Sequence, residues 1–170
     1  MPPFSAAGEP DRLEILDERG RDVIGLWRNV LVAAVRSLPD ADLLHRIHAI
    51  QGDVAGRFPR GFSAMVILPG LSPLSLTSEV RAAAERMTND AAPQFLGLAQ
   101  VIEGRGFVTA AIRSIATGMV LGTQPPWPMR IFAGIEPAAA WLAAWVEGET
   151  RPAATRKLTE ALRQTLVWGP

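Results

Sequence analysis

Apolar and polar positions alternate at a spacing of two in the first part of the chain. Leu13, Ile15 and Asp17 follow this spacing, and residues 23–27 and 30–35 are apolar runs rich in β-branched side chains. Alternation of this kind, interrupted by polar turns, is typical of short neighbouring strands. The pattern predicts a meander of two or three strands at one side of a sheet.

The spacing of apolar positions then becomes helical. Leu43, Ile47 and Val54 lie on one stripe after Asp40, whose carboxylate suits a helix N-cap. The run over residues 62–69 is almost continuously apolar, as expected of a strand covered on both faces. The remaining pattern predicts a helix from about residue 78 to 91, a strand over 94–103, a helix over 107–121, a strand over 129–134, a helix over 136–146 and a last helix over 153–168.

This order of elements predicts the fold class. Three strands followed by alternating helices and strands indicate an α/β fold with a mixed, partly parallel sheet of four to six strands, packed by helices. We expect residues 1–10 to form a flexible tail, residues 11–148 the α/β domain and residues 149–170 an extra C-terminal amphipathic helix. That helix is predicted either to pack back on the domain or to make a swapped contact in a homodimer.

Composition excludes several classes of function. The 17 basic residues, 16 of them arginine, balance 17 acidic ones, so no overall charge attracts nucleic acid or anionic lipid. The chain has no cysteine, which excludes disulfides, thiolate zinc sites and thiol catalysis. The apolar helix over residues 107–121 is too short to span a bilayer and contains Arg113, and the first residues do not resemble a signal peptide. These features predict a cytoplasmic protein without a membrane span.

Catalytic patterns are not found in the sequence. Ser63 lacks the second glycine of a nucleophile elbow. Asp42, His45 and His48 are three apart, so the first and last diverge by about 120° around a helix and do not form a metal site. Glu103, at a strand end, is the one carboxylate placed for chemistry, and the sequence shows no second carboxylate to pair with it and no evident catalytic partner. We therefore expect a protein that is not an enzyme and that uses no cofactor or metal.

Two other features leave alternatives open. Gly104, Arg105, Gly106 and Phe107 join a strand to a helix, either as a tight turn or as an anion or ligand site beside Arg105. A dinucleotide-binding sequence would need glycine where Thr109 stands.

The tryptophans divide into core and surface candidates. Trp27 and Trp141 are predicted to lie in the core. Trp127, between prolines, is either an interface anchor or a plug over the core, and Trp168 is a second interface candidate.

Three segments carry a resemblance to a known family. GFSAMVILPG, APQFLGLAQVIEGRGFVTAAIRSIATGM and PMRIFAGIEPAAAWLA, within residues 12–147, resemble the STAS family, the bacterial anti-sigma factor antagonist fold that is grouped with STAS/SEC14-type domains. The resemblance implies a bacterial signalling protein that binds another protein, such as an anti-sigma factor or a kinase-like regulator. In signalling members, a kinase phosphorylates a serine or threonine, usually next to an aspartate, where a helix starts after a central strand.

The matching segment here predicts a partner-binding or phosphorylated loop. It contains Ser72, Ser75, Thr77 and Ser78 but no Asp–Ser pair, and these hydroxyls also suit the capping of a helix. We therefore expect a non-enzymatic protein–protein interaction module in a regulatory or scaffolding complex. The alternative is a small-molecule or lipid-binding domain with a cleft at the strand carboxyl ends, lined by four residues: Leu71, Leu74, Arg105 and Phe107.

Overall fold

A six-stranded mixed sheet forms the centre of the molecule. The computed structural model describes residues 11–36, 39–69, 77–90, 93–103 and 126–166. The strands are β1 (Glu14–Arg19), β2 (Asp22–Trp27), β3 (Val30–Ala34), β4 (Phe62–Pro69), β5 (Phe95–Glu103) and β6 (Met129–Phe132), and they lie in the sheet in chain order. The predicted α/β class with a partly parallel sheet is confirmed.

Strand direction defines two edges of this sheet. β1, β2 and β3 form an antiparallel meander, as the sequence predicts, whereas β3, β4, β5 and β6 are parallel to one another. The edge at which the four parallel strands end is called the carboxyl edge below, and the opposite one the amino edge. Because β2 runs against β3, it begins at the carboxyl edge.

Four helices are found in the described ranges. They are α1 (Ala41–Arg57), α2 (Ser78–Asn89), α3 (Ile135–Leu142) and α4 (Arg151–Thr165). The N-cap of α1 is confirmed, because the Asp40 carboxylate accepts a hydrogen bond from the Leu43 amide at 2.7 Å. None of the four is both long and apolar enough to cross a membrane. The helix predicted over residues 107–121 lies outside the described residues.

Each face of the sheet carries its own core. Alternate residues of β4 point to opposite faces, so that Phe62 and Ala64 pack with α1, while Met65 and Ile67 pack with α3 and α4. Trp27 is completely buried on the α3 and α4 face, as predicted. This arrangement gives three layers, with the sheet in the middle.

The C-terminal helix packs back on its own chain. The stripe predicted from the sequence, Leu158, Leu162 and Leu166, is at most 6% exposed and belongs to the core beneath α3 and α4. Pro152 lies in the first turn of α4, where the absent amide hydrogen costs nothing. Burial of the stripe explains why this helix forms against the sheet.

Two tryptophan rings lie over β5. Trp141 and Trp145 stand edge to face with centroids 4.7 Å apart, and both are partly buried. Gly97 lies below them, and a Cβ atom there would come within 3.3 Å of Trp145 and 3.0 Å of the Pro128 carbonyl oxygen. The absence of a side chain at Gly97 therefore lets both aromatic rings approach the strand.

Candidate functional site

The carboxyl edge brings together charged residues that are far apart in sequence. Arg36 follows β3, Glu103 ends β5, and Asp22 begins β2. Asp22 is 8% exposed, and its Oδ1 accepts a hydrogen bond from the Arg36 amide at 2.7 Å. Each residue follows or precedes an apolar strand, so the sheet itself fixes its position at this edge.

Arg36 and Glu103 interact electrostatically across the end of β4. Burial raises the pKa of Glu103, and the positive charge of Arg36 opposes that rise. Burial likewise lowers the pKa of Arg36, Glu103 opposes the change, and the charge of Arg21 adds to it. The site therefore contains a partly buried pair of opposite charges. The ionised form of Glu103 is less stable in this pair than it would be in water.

The start of α2 adds hydroxyl groups to the same edge. α2 follows β4 and returns towards the start of β5, so its first turn lies at the carboxyl edge. Thr77 and Ser78 are exposed there, and the Thr77 hydroxyl accepts a hydrogen bond from the Val80 amide at 3.2 Å. Thr77 thus caps α2, as the sequence predicts, and Ser78 is the first helical residue. An exposed helix start favours negative charge on such hydroxyls.

Several predicted site residues fall outside the described ranges. These are Ser72 and Ser75 of the partner loop, the stretch from Gly104 to Phe107, the cleft residues Leu71 and Leu74, and Trp168. Their predicted roles stay predictions.

Trp127 lies at the amino edge, away from Glu103. Its ring stands edge to face with Phe95 at 4.8 Å between centroids and packs against the core on the α1 face. The side chain is partly buried, and its Nε1 has no hydrogen-bond partner in the described part of the chain. The interface role predicted for Trp127 is thus not part of the carboxyl-edge site.

The described residues bring neither the two histidines nor Ser63 into a metal-binding group or a nucleophile elbow. His45 is exposed and His48 is half-buried on α1. Within the described ranges, no three His, Cys, Asp or Glu residues are grouped so that they could hold a metal ion. Ser63 is completely buried inside β4 and not at a strand-to-helix turn, which is where a nucleophile elbow would need it.

A charged cluster at the amino edge has a structural role. Glu149, just before α4, accepts hydrogen bonds from Arg28 at 2.6 Å and from Lys157 at 2.8 Å. Lys157 also pairs with Asp11 at 3.3 Å. The hydrogen bond from Lys157 is the main reason why the pKa of Glu149 is lowered. This cluster joins the β2–β3 turn to α4, and its charged groups are paired with one another.

One surface cleft lies along α4. It has a volume of about 380 Å³ and is lined mainly by polar residues, including Glu136, Thr159 and Arg163. Arg163 and Glu136 lie 4.0 Å apart across it. No sequence pattern indicates this cleft, because its walls come from two helices whose polar faces resemble ordinary solvent-exposed surface.

Comparison with known proteins identified no relative of this chain. Searches against protein-family models, curated proteins and solved structures found no match for this chain. The resemblance to the STAS family therefore stays a prediction, which depends on the three sequence segments and is compatible with the observed fold class.

Proposed function

We propose that the chain is a non-catalytic, STAS-like module that binds a partner protein through its carboxyl edge. The observation that carries the proposal is the position of Thr77 and Ser78. Both are exposed at the start of the helix that follows the central strand β4, at the edge where Arg36 and Glu103 also lie. This is the place that the resemblance implies for a partner-binding hydroxyl, in a cytoplasmic regulatory or scaffolding complex.

The physical chemistry of this edge allows binding to be altered without unfolding. A negative charge at Ser78 lies in the first turn of α2, where the helix dipole favours it. Ser78→Asp is therefore expected to leave the free energy of unfolding unchanged within about 0.5 kcal/mol. The same charge would oppose an acidic or apolar partner surface, so a loss of binding would come from the interface.

Affinity capture with a matched control tests the proposal. Purified wild-type, Ser78→Asp and Thr150→Asp chains are used as baits in lysate from the source cell, and captured proteins are quantified by mass spectrometry. Thr150 is an exposed N-cap at the start of α4, so its variant places the same charge at a helix start near the amino edge. We expect one enriched protein, which is lost with Ser78→Asp and retained with Thr150→Asp. Equal capture by all three baits would contradict the proposal.

A second function is favoured by the Arg36–Glu103 pair. Ligands of open α/β sheets bind at the carboxyl ends of the strands, and a half-buried pair of charges there suits a small polar ligand. Native mass spectrometry of freshly purified protein would then show a mass adduct that is absent from Arg36→Ala. A spectrum of the unliganded mass alone would argue against this second function.

A further inference from the structure

Three buried polar atoms near the amino edge lack hydrogen-bond partners. They are Trp27 Nε1, Asn29 Oδ1 and Ser63 Oγ, and within the described residues none of them has a donor or acceptor in reach. Their side chains belong to residues that are 0%, 2% and 0% exposed. Polar atoms this deeply buried are almost always hydrogen-bonded, to protein or to ordered water.

The register of the sheet places these groups on one face. Trp27 pairs with Val30 across β2 and β3, and Val30 pairs with Ser63 across β3 and β4. Paired residues point to the same side of a sheet, here the side covered by α3 and α4. Trp27 and Ser63 therefore flank Val30 on one buried surface.

Asn29 reaches the same place from the β2–β3 turn. Its Nδ2 donates hydrogen bonds to the carbonyl oxygens of Gly61, at 3.2 Å, and Trp145, at 2.8 Å. The backbone carbonyl oxygen of Asn29 accepts a hydrogen bond from the Ser63 backbone amide at 2.9 Å. Both amide hydrogens of the Asn29 side chain are thus used, and the amide lies between the start of β4 and the end of α3.

We infer that this surface holds a buried water molecule that bridges Asn29 Oδ1 and Ser63 Oγ, with the Trp27 indole as a third partner. The hydrogen-bonding capacities of these three groups determine which kind of molecule can bind between them. The indole N–H can only donate, the amide oxygen can only accept, and the serine hydroxyl does both. A bound water makes about three hydrogen bonds, as donor and as acceptor, and these three groups offer it partners of both kinds.

The same groups argue against an ion. A cation would face the indole N–H, and an anion would face the Asn29 amide oxygen. The Glu149 carboxylate at the amino edge is already bonded to Arg28 and Lys157. The bridging water therefore links the β2–β3 turn to β4 without any charge.

High-resolution crystallography and NMR test this inference on the full chain. In the wild type we expect density for one water within hydrogen-bond distance of Asn29 Oδ1 and Ser63 Oγ. We also expect a cross-relaxation peak between the Ser63 amide proton and a long-lived water. In Ser63→Ala, that peak should fall to the level of amides with no bound water. Thr159 of α4 is buried, and its hydroxyl also has no hydrogen-bond partner in the described ranges. Thr159→Val should leave the Ser63 peak unchanged.

Several results would overturn the inference. A direct hydrogen bond from Ser63 Oγ to Asn29 Oδ1 in the wild-type crystal, with no water between these two side-chain atoms, would do so. An unchanged peak in Ser63→Ala would do so as well. The wild-type density and peak decide the matter even if Ser63→Ala does not fold.

Discussion

The back-packing of α4 makes a quantitative prediction for Leu158→Ala. Leu158 is completely buried in the core formed by α3, α4 and the sheet. The substitution removes three buried carbons, each worth about 0.8 kcal/mol of transfer free energy, which gives roughly 2.4 kcal/mol. Because the surrounding side chains close the cavity only in part, we expect a total loss of about 3–4 kcal/mol in the free energy of unfolding.

Urea unfolding followed by tryptophan fluorescence measures this loss, with five tryptophans as probes. Glu160→Ala is the control, since Glu160 is exposed on the same helix and, among the described residues, takes part only in a local hydrogen bond from Gln164. We expect this variant to lose about 0.5 kcal/mol or less. A loss below about 1 kcal/mol for Leu158→Ala would refute the packing of α4 on this core. A midpoint that rises with protein concentration would instead show that the helix packs on a second copy.

Three further substitutions test the capping, close-packing and electrostatic arguments. Asp40→Ala removes the acceptor for the Leu43 amide and should cost about 1 kcal/mol in urea unfolding. Gly97→Ala forces a Cβ atom against Trp145 and should cost about 1–3 kcal/mol, with a change in tryptophan fluorescence; unchanged stability would mean that the rings move freely. Since the folded-state pKa of Glu103 is raised, its ionisation weakens the fold as pH rises from the ordinary value of 4.5 through the raised one. Glu103→Gln should therefore be more stable than wild type near pH 7 and equal to it near pH 3; the opposite order near pH 7 would contradict the electrostatic argument.

Local elements were predictable from the sequence because their causes are local. The Asp40 cap and the Leu158 stripe each depend on residues within a few turns of one helix. The alternation in residues 13–35 and the run over 62–69 likewise identify strands, since burial on one or both faces leaves a pattern in the chain. The partly parallel sheet follows, because helices between strands bring each strand back in the same direction.

The site could be predicted only in part, because it depends on strand register. Arg36 and Glu103 meet because Ala34 pairs with Ile67 and Ile67 pairs with Val101, which aligns the ends of three strands. Glu103 was found in the sequence from its place at a strand end, and the same signal marks Arg36. Nothing in the sequence indicates that the two ends coincide.

The two edges of the sheet shift the pKa of a glutamate in opposite directions. At the amino edge the pKa of Glu149 is lowered, so folding favours its negative charge, and Arg28 and Lys157 use that charge to hold α4. At the carboxyl edge the pKa of Glu103 is raised, so the attraction of Arg36 does not compensate for burial, and the charge weakens the fold. An ionisable group whose charge weakens the fold is a candidate for a functional role, and this supports the partner site proposed from the position of Thr77 and Ser78. A Glu103→Gln chain should then gain stability and lose partner binding together.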